Sequence, residues 1–161
     1  MKVLKKQNNS RDCLICGVDN PFGVKAQFYE VEDDSVVTIV KFRSEHQSYP
    51  GRTHGGMITA LLDELVGRAI WITEPQTWGV TMTLSMKFRK PVPYDEKLRA
   101  VGRIVSKTSR TFSGEGKIFD MDGKLLAECT ATYMKLPIDK IADAENSNAA
   151  DIYIEDDVED I

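Results

Sequence analysis

The stretch His54-Gly55-Gly56-Met57-Ile58-Thr59-Ala60-Leu61-Leu62-Asp63-Glu64-Leu65-Val66-Gly67-Arg68-Ala69-Ile70-Trp71 decides the fold. Met57, Leu61, Leu65 and Ala69 recur at helical spacing, with Ile58, Leu62, Val66 and Ile70 beside them. That period predicts one long helix, apolar nearly all round and therefore buried. No other segment carries a comparable pattern. Two glycines open the helix, where bare N–H groups sit at the positive end of the dipole. Asp63 lies two turns in, on an otherwise apolar rod. A carboxylate in such a place has to be paired, protonated or functional.

Outward from the helix the chain alternates like a sheet. Val24 to Glu32 and Ser35 to Arg43 read as two strands turning at Asp33-Asp34, a hairpin. The polar loop from Ser44 to Thr53 then delivers the chain to the glycines. After the connector Thr73 to Trp78 come four strands: Gly79 to Lys90, Lys97 to Ser106, Thr111 to Phe119 and Lys124 to Leu136. In the first of them Val80, Met82, Leu84, Met86 and Phe88 share one face, and Thr81, Thr83, Ser85, Lys87 and Arg89 the other. Gly114 and Gly116 at alternate positions predict a bulge or a closely approached backbone. One buried helix among antiparallel strands is an α+β domain of five to six strands over residues 24–137. Residues 1–23 read as irregular. Residues 138–161 hold nine acidic residues from Asp139 onward against the single base Lys140, and read as an acidic, disordered tail.

Composition narrows the function. The chain has 161 residues, net charge −4 and a pI near 5.3, and 42% of it is hydrophobic. That acidic balance argues against a nucleic-acid partner. No apolar run approaches the roughly 20 residues that span a bilayer, so a cytoplasmic protein with no membrane partner is the expectation. Cys13 and Cys16 form Cys-x-x-Cys. Structural zinc normally takes four Cys or His ligands, and only Cys129, His46 and His54 remain, without ligand spacing. No metal is expected, and the pair reads as packing for an N-terminal turn.

Amides at a helix start can polarise a carbonyl, and Asp63 can attack it or activate water. Asp63 lies eight residues beyond Gly55, roughly 12 Å along the axis. One carbonyl cannot touch both ends of that span in one chain. Two antiparallel helices of a two-fold dimer remove the conflict and predict composite sites at the interface. Other assignments stay open: Glu64 as the base, His54 as an anchor of the helix start or as a base, and Asp63 as a structural acid.

His54-Gly55-Gly56, the acid nine residues after the histidine, Cys13-x-x-Cys16-Gly17 with Asn20-Pro21-x-Gly23, and His46-Gln47-x-Tyr49-Pro50-Gly51 resemble the hotdog-fold acyl-CoA thioesterases of the phenylacetyl-CoA thioesterase group. The resemblance spans about residues 13–136 and excludes the tail. It implies a hotdog fold, a long helix wrapped by a curved antiparallel sheet, in a homodimer or dimer of dimers. It implies an activity: hydrolysis of a small or medium acyl-CoA, aromatic groups included. Coenzyme A enters as part of the substrate, and no cofactor is implied. Gly55 and Gly56 match the carbonyl-polarising amides, Gly56 most closely. Asp63 matches the catalytic carboxylate, supplied by the other subunit, and Thr81 a hydroxyl that helps place water. The family often has an Asn in the loop before His-Gly-Gly, where Gln47 stands here. Arg89, Lys90, Arg103 and Lys107 are the cations available for the coenzyme phosphates. Two other readings belong beside this one: a hydroxyacyl thioester dehydratase on the same fold, and a non-catalytic acyl-CoA-binding module.

Overall fold

The structure is a computed structural model that describes residues 1–142, 152–156 and 158–161. A helix, α1 (Gly55–Arg68), continues as a 3-10 turn over Ala69–Ile72. Seven strands wrap it: β1 (Val3–Lys6), β2 (Tyr29–Val31), β3 (Val36–Val40), β4 (Trp78–Phe88), β5 (Leu98–Lys107), β6 (Thr111–Asp120) and β7 (Leu125–Leu136). They form one antiparallel sheet in the order β1-β2-β3-β5-β6-β7-β4. This is the α+β hotdog arrangement expected from the sequence, with seven strands in place of five to six.

The helix is held by burial. Leu61, Leu62, Leu65 and Val66 have no exposed surface and pack with Phe42, Leu98, Phe112 and Ile118. Each such side chain contributes about 1.5–3 kcal/mol on leaving water. Gly114 and Gly116 let the helix settle onto the sheet. A Cβ at Gly114 would lie 2.6 Å from Val66 Cγ1, and one at Gly116 2.9 Å from Val66 Cγ2. Of the two alternatives read for this pair, the close approach holds; the register slip lies on the neighbouring strand, where Val105 is the extra residue between Ile104 and Ser106.

Three expectations need correction. The N-terminal segment is not wholly irregular, since Val3–Lys6 pairs with β2. The first hairpin exists but is shorter than read, with only Tyr29–Val31 and Val36–Val40 extended. The described part of the acidic tail is not disordered. It lies along β1: Val3 N–H donates to Glu159 O at 2.9 Å, and Lys6 Nζ to Ile154 O at 2.6 Å. Asn9 and Ile152 exchange backbone bonds, and Tyr29 Oη donates to Asp156 Oδ2 at 2.8 Å. Composition misses this because Ile152, Ile154 and Val158 are spread among the acids, and an edge strand offers them unpaired backbone groups. The rest of the tail, residues 143–151 and 157, lies outside the described residues.

The tail thus covers one edge of the sheet. The other edge is β4, 11 residues long and paired only with β7, with Val80, Met82 and Phe88 exposed. Among the described residues no helix is long and apolar enough to cross a membrane.

Candidate functional site

Asp63 leaves the middle of α1 half-buried, facing the junction of β4 and β7. Its Oδ1 accepts two hydroxyl protons, from Thr81 Oγ1 at 2.8 Å and from Tyr133 Oη at 3.0 Å. Tyr133 Oη also lies 2.8 Å from the Asp63 carbonyl. Oδ2 accepts no bond among the described residues. Thr81 and Tyr133 are direct cross-strand partners, and such partners point to the same face.

Simple alternation puts Thr81 on the wrong side. The register slips between Thr81 and Thr83, where Met82 is an extra residue. A bulge of this kind reverses which residues face inward. Gly79 and Thr81 face the helix before it; Leu84 and Met86 pack on the core after it. Val80 and Met82, expected inside, are instead 38% and 53% exposed.

Tyr133 is missed by reading residues one at a time. It is 1% exposed and stacks on Phe112 with centroids 4.8 Å apart. Burial, then the charge of Asp63, pushes its phenol well above the ordinary tyrosine range, so it remains a donor. The signal available in sequence is the alternation of β7, which sends Cys129, Ala131 and Tyr133 inward and leaves one hydroxyl in an apolar row.

A cavity of about 350 Å³ opens beside Asp63. Thr81 and Tyr133 line it with Asp63, and Trp71 and Trp78 wall it edge to face at 4.6 Å. The lining also includes Cys13, Cys16 and the Glu64–Arg68 pair, whose Oε1 to guanidinium distance is 2.8 Å. Arg68 is 6% exposed and stacks between Phe28 and Trp71, at 4.5 and 4.9 Å. Glu64 is therefore a partner of Arg68 and of Cys13, whose S–H donates to Glu64 Oε2 at 3.1 Å.

The helix start lies apart from that cavity. His54 is the N-cap, and its Nδ1 accepts the Gly56 N–H at 2.8 Å. The amide expected to be the main open donor is thus engaged, while the Gly55 N–H donates to no group among the described residues. A Cβ at Gly55 would make only ordinary contact with Phe88, at 3.4 Å. The fold does not demand glycine at position 55, and its bare backbone leaves room for something else. Gln47 sits on the exposed loop, bridged to Thr53, with Tyr94 Oη 3.4 Å from its Oε1. Neither Gln47 nor His54, Gly55 and Gly56 lines the cavity of Asp63. The other imidazole, His46, is 4% exposed, with Nδ1 accepting from Arg43 N–H and Nε2 on Phe22 O.

Three of the four cations read as phosphate ligands are paired within the chain. Arg89 bonds Glu128, Arg103 bonds Glu115 with Nε at 2.7 Å, and Lys107 lies 3.3 Å from Glu74. Lys90 makes no ion pair among the described residues. It lies two residues past the end of β4 at Phe88, whose ring flanks Gly55.

Residues 50–127 match the family model of the Thioesterase superfamily. Among curated proteins none matches the sequence. Among solved structures, a thioesterase superfamily protein is 27% identical at a TM-score of 0.70, the match covering 76% of this chain and 63% of that one. The chain thus spans less than two thirds of that relative's length. A phenylacetic acid degradation-related protein from Ralstonia eutropha is 24% identical at a TM-score of 0.62, over 69% of this chain and 85% of that one. A thioesterase protein from Streptococcus pneumoniae, solved with coenzyme A, is 23% identical at 0.61, over 70% and 86%. The last two likenesses concern the fold.

Proposed function

We propose, from the match of residues 50–127 to the Thioesterase superfamily model, that this protein is an acyl-CoA thioesterase acting on a small or medium acyl group. The observation that carries the reading is the Asp63 carboxylate at a cavity wall, with Oδ1 held by Thr81 and Tyr133 and Oδ2 left over. Such a group is oriented for one task, attack on a carbonyl carbon or removal of a proton from water. A thioester suits so sparse a site. The leaving thiol has a pKa of about 8.5 and departs as a thiolate without a strong general acid. Water adds its oxygen to the carbonyl carbon, the C–S bond breaks, and Asp63 takes the proton as base or forms and releases an acyl-aspartyl intermediate. The paired indoles and the size of the cavity suit a medium or aromatic acyl group.

The carbonyl needs a donor, and the open Gly55 N–H supplies one at the positive end of α1. The Gly56 N–H becomes a second when the exposed His54 ring turns away. Gly55 and Asp63 of one chain lie roughly 12 Å apart along the helix, so each site draws on two subunits. The free edge of β4 provides the interface. In this reading two copies of β4 run antiparallel across a two-fold axis. That brings the carboxylate end of one site to the glycine end of the other. The coenzyme solved with the Streptococcus pneumoniae neighbour supports coenzyme A as the carrier, and Lys90 is the cation left to meet its phosphates.

Dehydration of a hydroxyacyl thioester fits less well. That reaction asks for a free imidazole base at the substrate, whereas His46 is buried against Phe22 O and His54 Nδ1 is taken up by the Gly56 N–H. Free-thiol release from acyl-CoAs of graded length and aromaticity tests the proposal. Asp63→Asn is expected to lower kcat/KM about 10²–10⁴-fold while leaving the folded dimer intact. Full activity in that variant overturns the role of the carboxylate.

A further inference from the structure

The Cys13-x-x-Cys16 pair acquires in three dimensions a partner that ligand counting from sequence leaves out. Cys13 Sγ, Cys16 Sγ and a Glu64 carboxylate oxygen all lie within 4.8 Å of one another. Glu64 comes from the middle of α1, 51 residues beyond Cys13. From this convergence we propose that Cys13, Cys16 and Glu64 form a binding site for a thiophilic divalent cation of the Zn²⁺ type, one per chain, in the lining of the cavity that Asp63 also borders.

The geometry is close to what such an ion needs. Zn–S bonds of about 2.3 Å and Zn–O bonds of about 2.1 Å in a tetrahedron put donor atoms about 3.5–3.8 Å apart. Cys13 Sγ and Glu64 Oε2 stand at 3.1 Å, so a small separation admits the ion. The two oxygens of Glu64 already have different duties. Oε1 is bonded by Arg68 Nε at 2.9 Å, and Oε2 faces the sulfur. Arg68 thereby fixes the carboxylate from behind, the outer-shell support that metal ligands usually have.

The turn that carries the sulfurs is built to hold them together. Gly17 N–H donates to Cys13 O at 2.9 Å, and a Cβ at Gly17 would lie 2.3 Å from that same oxygen. Only glycine lets the chain wind back so tightly. Asn9 Nδ2 clamps Cys16 O at 2.7 Å, Ile15 N–H donates to Cys13 Sγ at 3.3 Å, and Ser10 Oγ lies 3.4 Å from Cys16 Sγ. The Ile15 N–H favours a thiolate at Cys13, and the Ser10 hydroxyl is placed to donate to Cys16 once that sulfur is deprotonated.

The charges close as well. Two thiolates and Glu64 carry three negative charges; the cation and Arg68 carry three positive. The two thiol protons leave as the ion enters. Three protein ligands leave a fourth position open toward the cavity, where water completes the tetrahedron.

The test is a Co²⁺ titration of the full chain, reduced and stripped by chelator. The expected result is a thiolate-to-Co²⁺ charge-transfer band that saturates at one ion per chain, is bleached by Zn²⁺, and accompanies release of about two protons per ion. Cys13→Ser and Cys16→Ser each abolish the band, and Cys129→Ser keeps it. Glu64→Gln, which leaves both sulfurs in place, weakens affinity at least about tenfold. Circular dichroism establishes that each variant is folded. No band in the reduced parent chain, a band that survives Cys16→Ser, or unchanged affinity in Glu64→Gln overturns the site. The proposed hydrolysis stands or falls separately. A chain that binds Co²⁺ without releasing thiol removes the enzyme reading alone, and one that hydrolyses without binding metal removes this site alone.

Discussion

Thr81 donates its hydroxyl proton to Asp63 Oδ1 at 2.8 Å, and it reaches that oxygen because the strand carries one extra residue at Met82. Without the slip, the valine and methionine on either side would face the helix and the threonine would face out. The bulge therefore sets the orientation of the carboxylate. A hydrogen bond to a charged acceptor is worth about 1.5–3 kcal/mol. Thr81→Val and Tyr133→Phe are each expected to lower kcat about tenfold with little change in KM, and the double variant to lose more than either. Steady-state kinetics on one acyl-CoA checks this. A change in KM alone would make the pair part of substrate binding and not positioning groups.

The donor at the helix start can be removed without a side-chain deletion. Gly55 is the first helical residue, a position where proline is favoured and its missing N–H breaks no helical bond. His54 before it is already extended, at φ −63° and ψ 133°, as a residue before proline prefers. Gly55→Pro is expected to fold, to keep its melting temperature within a few degrees, and to lose about 10²–10³-fold in kcat. In the proposed composite site Gly55 and Asp63 come from different subunits, so inactive Gly55→Pro and Asp63→Asn chains refolded together should recover about a quarter of parental activity. Recovery at the level of the unmixed variants would place both groups in one chain.

The elements that periodicity controls were legible from the residues. The helix and four long strands appear within a few positions of where alternation and helical spacing put them, and the hairpin keeps its turn but loses much of its length. What was not legible depends on residues distant in sequence. β1 is four residues long with two lysines, and becomes a strand because β2 and the end of the tail lie beside it. The Met82 bulge defeats strict alternation, and with it the placement of Thr81. Of the candidate site, Asp63 and the glycine start could be named from spacing, and Thr81 only through the family resemblance. Tyr133 and the contact of Glu64 with Cys13 could not, because each bonds across more than 50 residues.

Close packing of α1 on the sheet gives a stability prediction independent of chemistry. A Cβ at Gly114 would lie 2.5 Å from Arg103 O and 2.6 Å from Val66 Cγ1. One obstacle is backbone on the neighbouring strand and the other the middle of the helix, so neither gives way easily. Gly114→Ala is expected to destabilise by about 1–3 kcal/mol. Gly123→Ala serves as the comparison of opposite origin, since its Cβ meets nothing within 4 Å and any cost comes from its φ of +85°. Adding Val66→Ala should relieve Gly114→Ala in part and leave Gly123→Ala unrelieved. Urea denaturation of the parent, the three single variants and the two double variants decides it.

Glu74 gives a pH dependence with a defined sign. Its carboxylate accepts from Lys135 Nζ at 2.8 Å, and Lys107 Nζ lies 3.3 Å away. The bond from Lys135, assisted by Lys107, holds its pKa below the ordinary 4.5. A depressed folded value means that the native state binds its proton less readily than the unfolded chain. The stabilisation is therefore complete above about pH 4.5 and disappears as pH falls through the folded value. Glu74 is partly exposed, so water screens the pair and its contribution at neutral pH is about 0–1 kcal/mol. Glu74→Gln should lower the melting temperature by at most about 4 °C at pH 7. The gap to the parent should narrow on acidification and close once the parent's own carboxylate is protonated. Calorimetry from pH 7 to pH 3 measures that gap. A gap that widens toward acid would mean that the lysines are held by another acceptor and that Glu74 is a bystander.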